Sequence, residues 1–180
     1  MCLIVFKQSL DELDKSKKYI IVGASKCGTT SFAKYMTDKG FTVDKQDGWF
    51  WQNPMIEAFA KFNGTYQSGT PIILLRDPVE RAWSHYHYMF QDKPEEDTSE
   101  AIKNLRLETV SRKSCYTLWL NKWMEACDDG LCVFWYDDVV EWDDFPHENA
   151  TKVKPQLDEE TRERIEAYIM DEYQKNVDFE

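Results

Sequence analysis

The sequence predicts an α/β protein: a parallel sheet of four to five strands flanked by helices, in a single compact domain. Short apolar runs of β-prone residues, such as Tyr19–Val22, Ile72–Leu75 and Leu131–Tyr136, alternate with stretches of helical periodicity. This alternation is typical of strands joined by helical crossovers. The length of 180 residues, with 42% hydrophobic and 14% aromatic content, fits one globular domain with a substantial core.

The chain is organised around its first confident strand and the helix that follows. Tyr19–Val22 is the strand, the segment from Gly23 to Gly28 turns the chain, and a helix runs from Thr29 until Gly40. A loop between glycines at a helix N-terminus directs main-chain N–H groups and the helix dipole toward one point. The sequence therefore predicts an anion-binding loop here.

The other elements are predicted from caps, turn residues and periodicity. In chain order they are a short edge strand or a helix (Leu10–Lys15) within residues 1–18, a strand at Phe41–Val43, a helix from Asn53-Pro54 to Gly64, the strand Ile72–Leu75, a helix from Asp77 to about Gln91, helices at Ser99–Val110 and Cys115–Ala126, the strand Leu131–Tyr136, an irregular acidic segment Asp137–Asn149 and a closing amphipathic helix Asp158–Asn176.

The position of the lysine distinguishes this loop from that of nucleotide triphosphatases. Gly23 and Gly28 have the spacing of the G-x-x-x-x-G-K-[ST] motif, but Thr29 stands where the lysine belongs. The lysine lies inside the loop, as Lys26.

Two segments resemble the sulfotransferases that use 3′-phosphoadenosine 5′-phosphosulfate (PAPS), and are closer to the Golgi and bacterial carbohydrate or protein enzymes than to the cytosolic ones. Gly23-Ala-Ser-Lys26-Cys-Gly28-Thr29-Thr30-Ser31 is similar to the family's 5′-phosphosulfate loop. Pro71-Ile-Ile-Leu-Leu-Arg76-Asp77-Pro78-Val-Glu-Arg81-Ala-Trp-Ser84-His-Tyr86 is similar to its 3′-phosphate motif. A fainter likeness includes Tyr116–Trp123 and the Y-x-D stretch within Leu131–Val139. The resemblance covers roughly residues 17–178 and implies a P-loop-like sheet over a single sulfotransferase domain, with residues 1–17 as an extension and 158–176 as the closing helix.

The resemblance also implies which residues bind the nucleotide. The expected 5′ contacts are Gly23, Ser25, Lys26, Cys27, Gly28, Thr29, Thr30 and Ser31, and the expected 3′-phosphate contacts are Arg76 and Ser84, with Arg112 and Lys113 as further candidates. An ion pair of Arg76 with Asp77 or Glu80 is the alternative for that arginine. Arg81 is either a ligand or a structural residue, and Cys27 is interpreted as a spacer.

Sulfuryl transfer depends mainly on positioning and charge stabilisation. Lys26 is the expected catalytic cation, because an ammonium inside the loop can stabilise the charge that develops on the leaving phosphate oxygen. No metal is expected, since the sulfuryl group carries less charge than a γ-phosphate.

The general base is predicted less directly. Relatives that modify heparan carry a glutamate where Lys45-Gln46-Asp47 places Gln46, which cannot accept a proton at neutral pH. Asp47 is a candidate base if the register shifts by one, and a simple turn residue is the equal alternative. Lys45 is a candidate for contacting the sulfate oxygens. His85 and His87 are interpreted as packed or surface residues.

Composition limits the partners. The charge of −11 argues against nucleic acid or an anionic membrane as a partner. The five cysteines, without metal-ligand spacing, are interpreted mainly as reduced thiols, with a Cys127–Cys132 bridge left open. No signal peptide or membrane anchor is recognisable, so we expect a soluble and cytoplasmic protein.

The expected acceptor is a hydroxyl group of a carbohydrate, a protein tyrosine or a small molecule. The alternatives are a module that binds PAPS or its product PAP (adenosine 3′,5′-bisphosphate) without transfer, and a P-loop kinase with a variant loop.

Overall fold

The protein contains a parallel sheet of five strands in the computed structural model, which describes residues 4–7, 9–45, 69–117, 120–121, 123, 131–146 and 154–177. The strands are β1 (Ile4–Phe6), β2 (Lys18–Val22), β3 (Thr42–Lys45), β4 (Thr70–Leu75) and β5 (Leu131–Trp135). Every paired strand runs parallel, in the spatial order β1-β5-β4-β2-β3. The predicted α/β fold with a parallel sheet of four to five strands is therefore confirmed.

The strand order places the loops after β2 and β4 at a reversal point of the sheet. After β2 the chain continues to β3, which lies at one edge of the sheet. After β4 it continues to β5, which lies on the opposite side of the β2–β4 pair. In open α/β sheets the crevice beyond the carboxyl ends of two such strands is where ligands bind. Register pairs Val22 with Ile73 and Leu75 with Trp135, so β2, β4 and β5 end at the same edge.

Five helices accompany these strands in the described residues. They are α1 (Thr29–Asp38), α2 (Pro78–Tyr88), α3 (Glu100–Arg112), α4 (Tyr136–Val139) and α5 (Glu159–Val177). Residues 116–117, 120–121 and 123 are also helical, which agrees with the helix predicted at Cys115–Ala126 as far as it is described.

The start of α2 follows the predicted cap chemistry. The carboxylate of Asp77 accepts a hydrogen bond from the main-chain N–H of Glu80 at 2.7 Å, and Pro78 occupies the first helical position. A proline is tolerated there because its missing N–H would have no helical partner.

The chain divides into two compact units. The first comprises Met1–Arg76 and Trp119–Asn149, and the second comprises Asp77–Leu118 and Ala150–Glu180. The first unit holds the sheet, and α1 packs on it through Phe32, whose ring lies 5.2 Å from that of Phe134 between centroids. The second unit has its own apolar core, to which α2, α3 and α5 contribute. The prediction of one domain over residues 1–180 stays a prediction.

Two segments differ from the sequence-based expectation. Residues 136–139 form the short helix α4, where an irregular segment was expected from Asp137, because strand β5 ends at Trp135. Residues 1–18 contain both of the predicted alternatives: the edge strand β1 and a short 3-10 helix at Leu10–Glu12. The helix predicted from Asn53-Pro54 lies outside the described residues.

Among the described residues, Cys27, Cys115 and Cys132 are free thiols. Cys127, the other member of the bridge that was left open, lies outside the described residues. Within the part of the chain that the structure describes, no helix has the length and apolar content needed to cross a bilayer.

Candidate anion site at the carboxyl ends of β2 and β4

The loop after β2 has the backbone geometry of an anion-binding turn. Lys26 and Gly28 both adopt left-handed conformations, with φ of 73° and 78°. The N–H of Cys27 donates to the carbonyl oxygen of Ala24 at 3.2 Å, and the first α1 hydrogen bond runs from Phe32 N–H to Gly28 O at 3.0 Å. The N–H groups of the first helical turn are not satisfied by helical carbonyls, so this end of α1 favours an anion.

Glycine is required at both ends of the loop. A Cβ at Gly23 would lie 2.9 Å from the carbonyl oxygen of Leu74, because the loop leaves β2 directly against β4. A Cβ at Gly28 would overlap the ring of Tyr136, and the positive φ there is also unfavourable for an L side chain. The two glycines of the motif are thus explained by close contacts, with the end of β4 at Gly23 and with the ring of Tyr136 at Gly28.

Lys26 is the one non-glycine residue of the loop with a positive φ. Such a conformation costs about 1–3 kcal/mol and is concentrated at functional sites. The side chain of Lys26 is half-buried. Burial, and secondarily the charge of Arg76, lower the pKa of the Lys26 ammonium.

Arg76, the first residue after β4, reaches this loop. Its Nη1 donates a hydrogen bond to the carbonyl oxygen of Lys26 at 3.2 Å. The guanidinium carbon lies 5.1 Å from the centroid of the Tyr136 ring, within the range of a cation–π contact. Its Nε atom is buried and has no hydrogen-bond partner within the described part of the chain. The guanidinium of Arg76, predicted to bind the 3′-phosphate, therefore contacts the main chain of the loop that carries Lys26.

The remaining predicted loop residues lie beside these two. Cys27 and Ser31 are buried, whereas Ser25, Thr29 and Thr30 are half-buried. Cys27 is fully enclosed, with no exposed surface, and its interpretation as a spacer stays a prediction.

Three predicted 3′-phosphate residues belong to the second unit. Ser84 is buried on α2. The guanidinium of Arg112 binds Glu108, Asp171 and Glu172 at 2.6–2.8 Å, so a phosphate would have to displace carboxylates. Lys113 follows the last residue of α3 and is half-buried. The roles of these residues stay predictions.

Arg81, for which two roles were left open, makes structural contacts. Its side chain has no exposed surface. Its Nε donates to Ser114 Oγ at 2.7 Å, and its Nη2 donates to the carbonyl oxygen of Val110 near the end of α3. The carboxylates considered as partners of Arg76 also make contacts within the second unit: Asp77 caps α2, and Glu80 binds Lys154 and Arg162.

Asp47, the candidate base, lies outside the described residues, and so does Gln46. Lys45 is the last residue of β3 and pairs with Ile21 of β2. Neither the proposed role of Asp47 nor that of Lys45 is tested by this geometry.

Tyr136 is a further candidate residue of this site, to which the sequence analysis assigned no role. It is the first residue after β5, and its half-buried ring contacts both Gly28 and Arg76. Burial raises the pKa of its phenol. The Y-x-D stretch was recognised as a likeness only. Because β5 lies beside β4 in the sheet, Tyr136, the first residue after β5, is a neighbour of Arg76, the first residue after β4.

A scan against models of protein families finds no match, and a search of curated proteins finds no significant relative. Function is therefore inferred from the two motifs and from the geometry of the loop.

Proposed function

We propose that this protein is a sulfotransferase that uses PAPS as sulfuryl donor and a hydroxyl group as acceptor. The observation that carries the proposal is the meeting of Arg76 with Lys26: the arginine donates to the lysine's carbonyl oxygen across the loop. Residues from separate motifs thus contribute to one cationic site. The likeness of both motifs to the PAPS-binding sequences supplies the identity of the ligand.

The electrostatics of the loop support a polyanionic ligand. The Lys26 pKa is lowered by burial and by the nearby guanidinium, so bringing both cations together has a free-energy cost in the unliganded protein. An anion that contacts both would offset this repulsion and add charge-assisted hydrogen bonds. This local positive charge occurs in a chain whose net charge is −11, which favours a specific site over general attraction of anions.

The proposed reaction is an in-line displacement at sulfur. The bond between sulfur and the bridging phosphate oxygen breaks, a bond between sulfur and the acceptor oxygen forms, and the acceptor proton passes to a base. Lys26 stabilises the negative charge that develops on the bridging oxygen, and the loop N–H groups hold the 5′-phosphate. Asp47 remains the proposed base.

Two measurements test the proposal. Isothermal titration of the wild-type protein at micromolar concentration should show binding of both PAP and PAPS. Incubation with radiolabelled PAPS and a panel of glycans, tyrosyl peptides and phenols should then transfer label to at least one acceptor. Absence of any heat with PAP and PAPS would contradict the proposal.

The alternatives correspond to other results of the same measurements. Binding of PAP and PAPS without transfer to any acceptor would identify a nucleotide-binding module, for which Gln46 at the expected glutamate position is the sequence argument. Magnesium-dependent binding of ATP in preference to PAP would identify a kinase.

A further inference from the structure

We infer that Tyr136 is a positioning residue that orients Arg76, and that it thereby sets the preference of the site for a nucleotide with a 3′-phosphate. This inference rests on the proposed function, because it assigns a selectivity within the same site. Its geometry involves residues of the first unit alone.

The guanidinium of Arg76 is held from two directions. The ring of Tyr136 lies 5.1 Å from its carbon, and the carbonyl oxygen of Lys26 accepts from Nη1 at 3.2 Å. An arginine has five N–H donors. One of the two Nη1 donors is used on the loop, and Nε is buried without a partner among the described residues. The guanidinium is thus held through Nη1 and through its face, and its remaining N–H donors are those with which it would bind an anion.

Tyr136 is itself held in place. Its ring occupies the volume in which a Cβ of Gly28 would stand, and it makes an edge contact with Phe145 at 6.4 Å between centroids. It also begins α4 directly after β5, so its backbone is fixed by the sheet. A ring held in this way is a firm surface against which a flexible arginine can be oriented.

The contact depends on the aromatic face. A cation is attracted to the negative face of the ring, and that attraction strengthens when both groups are removed from water. Phenylalanine preserves the face, leucine preserves only bulk, and pentafluorophenylalanine preserves the shape while reversing the charge distribution of the ring. These three replacements therefore separate orientation through the ring from simple packing.

The readout is the ratio of the dissociation constants for adenosine 5′-phosphate and for PAP, since the two ligands differ only in the 3′-phosphate. A general loss of packing would weaken the binding of both ligands and leave the ratio unchanged. Loss of the orientation of Arg76 would weaken the binding of PAP alone. Tyr19→Leu is the matched control, because Tyr19 is a buried aromatic residue of the same unit whose ring packs edge-on against Phe41 and not against Arg76 or Phe145.

We expect Tyr136→Phe to retain the wild-type ratio within about twofold, and Tyr136→Leu to lower it about tenfold, the scale of a desolvated cation–π contact. Tyr136→pentafluorophenylalanine should lower it similarly, and it provides the test if the leucine variant does not fold. Tyr19→Leu should leave the ratio unchanged.

An unchanged ratio in the pentafluorophenylalanine variant would overturn the inference while leaving the proposed function intact, provided that the wild type binds PAP. Failure of the wild type to bind PAP would overturn both. An equal drop in the ratio for Tyr19→Leu would assign the effect to packing and would also overturn the inference.

Discussion

The Nη1 atom of Arg76 lies 3.2 Å from the main-chain carbonyl oxygen of Lys26, although fifty positions separate the two residues in the chain. This contact joins the first residue after β4 to the main chain of the loop after β2. The proposed nucleotide, which would touch both residues, requires such closeness of the two segments.

Removal of the Lys26 ammonium should abolish turnover without unfolding the protein. Lys26→Ala should lower the transfer rate by at least about 100-fold, the usual effect of removing one preorganised donor from developing charge. Lys26→Gly should lower the transfer rate by a similar factor. The free energy of unfolding of this glycine variant should remain within about 1 kcal/mol of wild type, because glycine tolerates the φ of 73° that strains lysine.

Lys17→Ala is the matched control for these Lys26 variants. Lys17 is an exposed lysine just before β2. The five-residue strand β2 separates it from the loop, which corresponds to a distance of about 16 Å. Equal loss of turnover in this variant would show that net charge, and not the position of Lys26, determines the rate.

Arg76 should determine selectivity for the 3′-phosphate. Arg76→Ala should weaken PAP binding by about 10- to 100-fold, as expected for loss of hydrogen bonds to a charged group, and should change adenosine 5′-phosphate binding far less. Arg76→Lys should recover only part of the loss, because an ammonium retains the charge but lacks the planar fork. Equal weakening of both nucleotides, measured by titration calorimetry, would contradict this assignment.

Gly28 and Gly40 provide a matched pair for the steric role of Tyr136. Both have positive φ, 78° and 87°, but a Cβ at Gly40 would meet open space. Gly40→Ala should therefore cost only about 1–2 kcal/mol of backbone strain. Gly28→Ala should cost about 1–3 kcal/mol more, because the methyl group overlaps the Tyr136 ring. Urea denaturation measures both values.

A double-mutant cycle tests the cause of that difference. Tyr136→Ala should remove the overlap, so its combination with Gly28→Ala should be less destabilising than the sum of the single changes. Strict additivity of the two free energies would show that the ring is not what excludes a side chain at position 28.

Arg81 should contribute to stability and not to nucleotide selectivity. Arg81→Ala would leave Ser114 Oγ and the Val110 carbonyl oxygen without their buried donor, so we expect a loss of about 3–5 kcal/mol in the free energy of unfolding. Where the variant remains folded, its ratio of adenosine 5′-phosphate to PAP dissociation constants should equal that of wild type. A changed ratio at unchanged stability would instead support the ligand role.

His87 should make stability depend on pH. Its imidazole packs edge-on against Trp83 at 4.1 Å between centroids, and burial lowers its pKa, an effect that Lys154 reinforces and Glu95 opposes. Because the folded pKa is depressed, the unfolded state binds the proton more readily. The stabilising contribution of the neutral His87 imidazole is therefore complete above the unfolded pKa of about 6.5, and it decreases as the pH falls below that value.

His87→Gln is the variant that tests this dependence. It should lack the decrease between neutral pH and about pH 5 that wild type shows in urea denaturation midpoints. Identical pH profiles for the two proteins would assign the acid sensitivity to other groups.

The core strands and helices were predictable because their signals are local. β2 is an apolar run that ends before a glycine, and β4 is an apolar run that ends before Arg-Asp-Pro. The pair Asp77-Pro78 predicts the N-terminal cap of α2. Helix α4 was missed because four residues carry too little periodicity, and its start is set by where β5 stops pairing with β4.

The candidate site was predictable where it depends on sequence motifs and not where it depends on strand order. Lys26 and Arg76 were identified as candidates from the motifs, and the approach of the two residues follows from adjacent parallel strands. Tyr136 was not, since only the β1-β5-β4-β2-β3 order shows that β5 lies next to β4. The sequence left a structural role and a ligand role open for Arg81 and could not identify its partners, because they are 29 and 33 positions away.

The three-residue strand β1 has a practical consequence for anyone who shortens this protein. It pairs with β5 from Ile4 to Phe6, and the N–H of Lys7 continues the pairing to Val133 O at 2.9 Å. Trimming those residues would uncover a row of main-chain donors and acceptors along β5, and such an edge recruits strands from other molecules. Expression tags and truncations at this end are therefore a matter of solubility as well as of convenience.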